Sequence, residues 1–380
     1  MRPPARRGAV GVKAAFPGCA KNADATERCP GIMDLAEEAK RRKSPLRILL
    51  TRLRYLGDVI LTTPVIASLK RRYPQASIHY LVEKYYAPVL LNNPYLDEII
   101  ELEKGCGSIS AVRLMRRRKF TAALDLFYNP RSSLLLYLAG IPIRIGGSRR
   151  WRRRLYTKTY SVPADVKSAV EHHMYPLGFL DAGDGDTMPR IYLTEKERDE
   201  GAGHLDRILG DYSENDTVVA LHPGGTWPSK RWPVGSFADL ARWLAEAMQA
   251  RVIVITGPGE EGIAGAVADR SDGSARVMDV KPLRTLASVL ERCSAVVAND
   301  GGVLHMSAAL GRPTVGVFGP TETGIWFPYS GKGPFEVVSS GVDCSPCHLH
   351  HCDDMRCLDG IKPREVQSRV EKVICRGASE

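Results

Sequence analysis

The 380-residue sequence has no run of about 18 apolar residues, which excludes a membrane-spanning helix. It has no apolar h-region near its start, so export through a signal peptide is not expected. Neither half opens with G-x-G-x-x-G, which weighs against a dinucleotide-dependent dehydrogenase. The nine cysteines do not form a secreted disulfide framework, because five lie between Cys344 and Cys375 and the others are scattered. What remains is the composition of a soluble globular protein, 44% hydrophobic and 25% charged. The length suits two domains, and the formal net charge of +10 implies an acidic partner. The first 43 residues, rich in Arg and Pro with a basic run at Lys40 to Lys43, read as a disordered extension; a transit peptide or a true start at Met33 would explain them equally.

From Leu46 onward apolar strand-length runs alternate with helical spacing. LRILLTRL is followed by one helix over Asp58 to Arg72, then SIHYLV, a helix near Tyr85 to Leu91, EIIEL, a helix over Ile109 to Arg118, AALDL, a helix from Ser132, and IPIRI. A Pro- and Gly-containing segment from Val162 to Asp216, with a charged helix near Glu195 to Leu209, separates this half from a second alternation. That one runs through TVVAL, VIVIT, ARVMDV, AVVA and TVGVF, each pair joined by a helix. Five strands in each half, crossed by helices, predict two parallel doubly wound sheets facing a cleft.

The stretch VVANDGGVLHMSAAL (Val296 to Leu310) places Asn299, Asp300, Gly301 and Gly302 between a strand and a helix N-terminus, the arrangement that holds a phosphate. An ordinary strand-to-helix turn with an Asx cap reads equally well, and His305 is either a ligand contact or a packed histidine. HPGGTWPSKRWP (His222 to Pro233) again follows a strand; Gly224 and Gly225 permit close approach, Thr226 offers a hydroxyl, and Lys230 and Arg231 bring cations to a pyrophosphate. Glu260, after the next strand, suits a ribose diol or a helix cap, and Glu261 is the alternative match. In the first half Asp58 follows a tight RYLG turn and reads on local grounds as a helix N-cap. Two basic runs, Arg113 to Lys119 and Arg144 to Lys158, are either solvated surface or a site for an anionic glycan, lipid head groups or RNA. Cys344, Cys347, Cys352 and Cys357, with histidines among them, have a zinc-like or iron–sulfur-like spacing, tighter than common ribbons; reduced thiols and disulfides are the alternatives.

Together, RLRYLGDVILTTPVIASLKRRYP, LHPGGTWPSKRWP and ANDGGVLHMSAALGRPTVGVFGPT resemble the ADP-heptose:lipopolysaccharide heptosyltransferases of glycosyltransferase family 9, nearer the heptosyltransferase II-like members. The resemblance covers Leu46 to the C-terminus. It implies a GT-B fold: an acceptor domain over residues 44–195, a nucleotide-sugar domain over 196–361 with a Cys-rich segment at 344–357, and a helix over 362–380 packing back across the domains. It implies an inverting transfer of heptose from ADP-heptose that needs no metal or other cofactor. Asp58 would be the base. Thr226, Lys230, Glu260, Asp300, Gly301, Gly302 and His305 would hold the donor. Arg54, Arg144, Arg149 and Arg152 would face a phosphorylated lipopolysaccharide-core acceptor at the anionic cytoplasmic face of an inner membrane, with nucleic acid not a partner. A different nucleotide sugar or acceptor within the family is the near alternative. A non-catalytic glycan- or RNA-binding protein is the distant one, and a nucleotide-sugar epimerase of similar shape would lack the basic acceptor loop.

Overall fold

The computed structural model describes residues 32–103, 108–183 and 185–377. Its first sheet contains β1 (Arg47–Thr51), β2 (Ser77–Glu83), β3 (Glu98–Leu102), β4 (Ala122–Asp125), β5 (Ile143–Gly147) and β6 (Lys158–Tyr160) in the spatial order β3-β2-β1-β4-β5-β6. The second contains β7 (Val218–His222), β8 (Arg251–Thr256), β9 (Ala275–Asp279), β10 (Ala295–Asn299), β11 (Thr314–Val317) and β12 (Phe335–Val338) in the order β12-β11-β10-β7-β8-β9. Every pairing is parallel. The central strands are Val-, Ile- and Leu-rich because helices cover both faces, which removes the polar alternation of a half-exposed sheet. The expected α/β architecture of two parallel, doubly wound sheets is therefore present, each with a sixth strand that the sequence pattern had not indicated.

The helices of the first half are α1 (Leu35–Arg41), α2 (Leu56–Leu61), α3 (Thr63–Arg72), α4 (Ser108–Arg118), α5 (Pro130–Leu138) and α6 (Ala169–Met174). Those of the second are α7 (Glu195–Leu209), α8 (Val234–Ala247), α9 (Glu261–Arg270), α10 (Leu283–Arg292), α11 (Gly302–Ala309), α12 (Thr323–Trp326), α13 (Arg356–Asp359) and α14 (Pro363–Gly377). No described helix is long and apolar enough to cross a membrane.

Four expectations need correction. The basic extension is not disordered throughout: Asp34 caps α1 by accepting from the Ala36 N–H at 2.8 Å, and Leu35 and Ala39 are buried in the first core, while residues 1–31 lie outside the described residues. The helix expected over Asp58 to Arg72 is two helices that break at Thr62, because Pro64 fits only the first turn of a helix and so starts a new one. The helix expected near Tyr85 to Leu91 is a single 3-10 turn, Ala87–Leu90, that begins with Pro88 in its first turn. Finally, among the described residues α14 packs on the second half rather than across the domains: Val366, Val370 and Val373 form one apolar face in the core beneath the second sheet and α8.

Both sheets reverse strand order at their centre, between β1 and β4 and between β7 and β10. Such a reversal opens a crevice at the carboxyl ends of the strands, where doubly wound folds bind ligands. The two crevices meet through α2 and α11, and that contact positions everything described next.

Candidate active site

Asp58 lies in the first turn of α2. It is not the N-cap: Tyr55 holds that position, and the Asp58 carboxylate accepts from the Tyr55 N–H at 3.3 Å. Its other oxygen is ion-paired with Arg52, whose guanidinium also donates to the Leu126 carbonyl at 3.1 Å and stacks over the Phe127 ring at 4.7 Å. Arg52 leaves the end of β1 and Leu126 the end of β4, so both edges of the first crevice orient this carboxylate. Beneath them, buried Asp125 accepts from Thr51, Ser132, Tyr156 and the N–H groups of Phe127 and Tyr128, all between 2.6 and 3.0 Å. Burial raises its pKa against the pull of those donors. Asp125 carries no signal in the sequence beyond its place in a strand.

Across the contact, Lys230 Nζ lies 2.6 Å from Asp300 Oδ2 and 4.3 Å from the centre of the Trp227 ring. Thr321 donates to the same Asp300 oxygen at 2.6 Å. Asp300 is buried, whereas Lys230 is half-buried and reaches the cleft. Asn299 joins the two motif loops by donating to the carbonyls of Pro223 and Gly224 and accepting from the Trp232 N–H. His305, one turn into α11, is buried and bonds Tyr329 OH through Nδ1 at 2.6 Å. Burial lowers its pKa; Asp300 and Asp58 pull it up and Lys230 pushes it down, which sets all three around one imidazole. Four residues singled out from the sequence, Asp58, Lys230, Asp300 and His305, are thus brought together.

The fit between α2 and α11 depends on two glycines. A Cβ on Gly57 would lie 2.6 Å from His305 Cδ2, and one on Gly302 would lie 2.7 to 2.9 Å from Leu56 side-chain atoms. Gly302 therefore serves helix contact as well as the helix N-terminus. Gly301 is different, since a Cβ there would meet only the Asn299 carbonyl at 3.7 Å.

Glu260 accepts from the Gly225 N–H at 2.7 Å, the Gly257 N–H at 2.9 Å and His222 Nε2 at 3.1 Å. Burial alone would raise its pKa, but His222 and the two N–H donors bring the net shift below the ordinary value. Gly224 and Gly257 are required by this carboxylate, because a Cβ on either would fall within 2.5 Å of Glu260 Oε2. Exposed Tyr85 of the first half stands close enough for the Glu260 charge to raise its pKa, behind the larger effect of burial, so Glu260 also borders the cleft. Thr226 is exposed on the same loop.

The four arginines expected at the acceptor site separate. Arg54 is half-buried, stacked at 5.3 Å over exposed Tyr55 beside Asp58. Arg149 lies 5.5 Å from the Tyr128 ring and Arg152 Nε donates to the Tyr128 carbonyl at 3.1 Å, so both stand at the carboxyl edge of β4 and β5. Arg144 does not join them. It sits near the amino end of β5, and its guanidinium donates to the carbonyls of Leu155 (2.7 Å) and Ile141, which makes it a structural clamp.

Cys344, Cys347, Cys352 and Cys357 are free thiols, and among the described residues no three His, Cys, Asp or Glu side chains are placed to hold a metal. Burial pushes the Cys357 thiol up, and the neighbouring cysteines add to it. The segment instead braces the donor side. Ser345 Oγ donates to the Gly319 carbonyl, the N–H groups of Cys347 and His348 donate to Pro320, and Ser229 Oγ donates to the Leu349 carbonyl. His350 stacks on Trp227 at 3.8 Å, directly behind Lys230. Of the metal, reduced-thiol and disulfide readings that the spacing left open, the free thiols match the second, and the brace carried no signal in the spacing.

A family model described as glycosyltransferase family 9 (heptosyltransferase) matches residues 109–356. The chain is 26% identical over 306 residues to a Salmonella typhimurium protein named lipopolysaccharide heptosyltransferase 2, covering 76% of this chain and 86% of that one. A solved family 9 glycosyl transferase from Veillonella parvula superposes with a TM-score of 0.76 at 25% identity, covering 87% of this chain and 97% of that one. The structure of Escherichia coli ADP-heptose LPS heptosyltransferase II shares the fold, with a TM-score of 0.72 at 22% identity over 88% of this chain and all of that one. Because the family model matches about two thirds of the chain, the chain belongs to glycosyltransferase family 9 and is a glycosyltransferase of the heptosyltransferase kind.

Proposed function

We propose that this enzyme moves heptose from ADP-heptose to a phosphorylated lipopolysaccharide-core acceptor, with inversion at the anomeric carbon and without a metal. The observation that carries the reading is the meeting of Asp58 from one crevice with Lys230 and Asp300 from the other around His305. Asp58 takes the proton of the acceptor hydroxyl as that oxygen attacks the anomeric carbon. The bond from that carbon to the diphosphate oxygen breaks, and its electron pair leaves on ADP. Lys230, Thr226 and the N–H groups at Gly301 and Gly302 meet the charge that develops there. Glu260 takes the ribose, and Asp300 keeps Lys230 aimed. Arg54, Arg149 and Arg152 face the anionic acceptor, with the enzyme working at the cytoplasmic face of an inner membrane.

The donor identity is carried by the family and by the ADP-heptose enzymes it resembles in fold. Replacing Asp58 with Ala is expected to abolish transfer while ADP still binds, because the base and the nucleotide loops belong to different sheets. Calorimetric titration with ADP and a transfer assay with ADP-heptose read the two separately. Unchanged turnover in the Asp58→Ala enzyme overturns the assignment.

A further inference from the structure

Charge in this chain is concentrated. Residues 104–160 hold fourteen Lys and Arg against one carboxylate, Asp125, which is buried. That surplus of 13 exceeds the +10 of the whole chain, so everything outside the segment carries a small negative balance. The segment's described residues, 108–160, fold as one flank of the first sheet, where α4 and a 3-10 helix (Arg150–Leu155) both pack against α5. Arg116 of α4 donates from Nε (3.0 Å) and Nη2 (2.7 Å) to the Leu138 carbonyl at the end of α5.

α5 is apolar on both sides. Inward, Leu135, Leu136 and Ala139 join Ala111, Val112 and Met115 of α4 in a buried cluster. Outward, Leu134, Tyr137 and Leu138 are each more than 40% exposed, at the i, i+3, i+4 spacing of one helix face. Trp151 on the 3-10 helix is 55% exposed, and none of that helix's six residues is buried. A soluble surface helix normally turns polar residues to water, so an outward stripe of this kind marks an interaction face. Exposed Arg113 and Arg117 on α4 lie on one side of it, and Arg150, Arg153 and Arg154 on the other.

We propose that this flank docks on the surface of an anionic lipid bilayer, with Leu134, Tyr137, Leu138 and Trp151 entering the interfacial layer and the arginines pairing with lipid phosphates. Apolar side chains flanked by basic ones are what such a surface selects: neither component alone binds stably, and together they do. RNA would use the arginines but gives leucines nothing to enter. The proposal rests on the reading above only in that a membrane-bound acceptor gives docking a purpose. The docking itself requires neither donor nor acceptor.

The test is flotation of the full chain with vesicles of neutral phosphatidylcholine, and with vesicles carrying roughly a third phosphatidylglycerol, neither containing glycolipid. The expected result is partitioning at least about tenfold stronger onto the anionic vesicles. The variant L134S/Y137S/L138S should lose about tenfold of that partitioning with an unchanged melting midpoint and unchanged turnover on a delipidated acceptor. R113S/R117S should weaken binding at low salt, with the difference vanishing near 0.5 M NaCl as charges are screened. Equal flotation with both vesicle types, or wild-type flotation by the triple serine variant, overturns the proposal. So does an RNA oligonucleotide that binds wild type and the triple variant equally and strips both from lipid. Because the vesicles lack acceptor, a failure here leaves the transferase assignment standing, and a failed transfer assay leaves docking standing.

Discussion

Replacing Gly57 with Ala tests whether the α2–α11 fit sets the reaction geometry. In a helix interior this change normally stabilises by about 0.5–1 kcal/mol, because glycine loses more backbone freedom on folding. Here the added methyl would lie 2.6 Å from His305 Cδ2, where ordinary contact begins at 3.4 Å, so the two helices must separate by about 0.8 Å or the ring must turn. The ring is held: its Nδ1 is bonded to Tyr329, whose own ring packs on Phe327 and Phe335. Overpacking of this kind costs ~1–3 kcal/mol, which outweighs the helix gain. The displaced residue next in sequence is Asp58. A misplacement near 1 Å at a reacting group is worth about 100-fold in rate. The expected enzyme melts several degrees lower, turns over roughly 30- to 100-fold more slowly in a coupled ADP-release assay, and binds ADP within about threefold of wild type. The variant G57A/H305A, which removes the obstructing ring, should recover part of the lost stability. Wild-type turnover in the single variant, or a loss of ADP affinity equal to the loss of rate, refutes the reasoning.

Three further outcomes follow from charge and stacking. Lys230→Ala leaves buried Asp300 facing Thr321 without its cation, a loss of ~2–3 kcal/mol given that Lys230 is partly solvated; K230M/D300N should regain most of that stability in urea denaturation but none of the ADP affinity. Glu197, held at a pKa of about 2 chiefly by Arg284, contributes stability that is present above pH 4.5 and is lost as pH falls toward 2. The full shift would correspond to ~3 kcal/mol, which screening at this rim position reduces to about 1 kcal/mol, so Glu197→Gln should lower the urea midpoint at pH 7 with the gap closing below pH 4. His350→Ala removes the stack behind Trp227 and should weaken ADP binding about three- to tenfold, read by calorimetry; unchanged affinity would show that the cysteine-rich segment does not brace the donor loop.

What was legible in the sequence, and what was not, divides along a physical line. Strands such as β1, β7 and β10 could be read because burial on both faces leaves a continuous apolar run in the chain itself. β6 could not: it begins at Lys158, the last residue of a basic run, and of its three residues only Tyr160 is buried. The donor-side residues of the candidate site were found because polar groups follow directly on strand ends at 222–230 and 299–305, whereas Asp58 read locally as a helix cap and as a base only through the family resemblance. Arg52, Asp125, Thr321 and Tyr329 were missed because each acts through a partner on another element. Arg144 was misplaced because a basic run does not say which arginines reach water and which turn back to carbonyls.

The two glycines of the Val296 to Leu310 stretch make the distinction sharpest, since in sequence they are equivalent. A nucleotide reading asks both to admit a phosphate. In the fold, Gly301 has open space beside it, while Gly302 is pressed against Leu56, a residue 246 positions earlier in the chain. Gly302 is therefore required even with no nucleotide bound, to let the donor half approach the half that carries Asp58. The same holds for Gly57 against His305. A motif recognised for holding a ligand is here also the joint between two domains, and catalysis depends on both uses, because a donor loop set correctly against phosphate but about 1 Å too far from Asp58 would bind ADP-heptose and transfer it slowly.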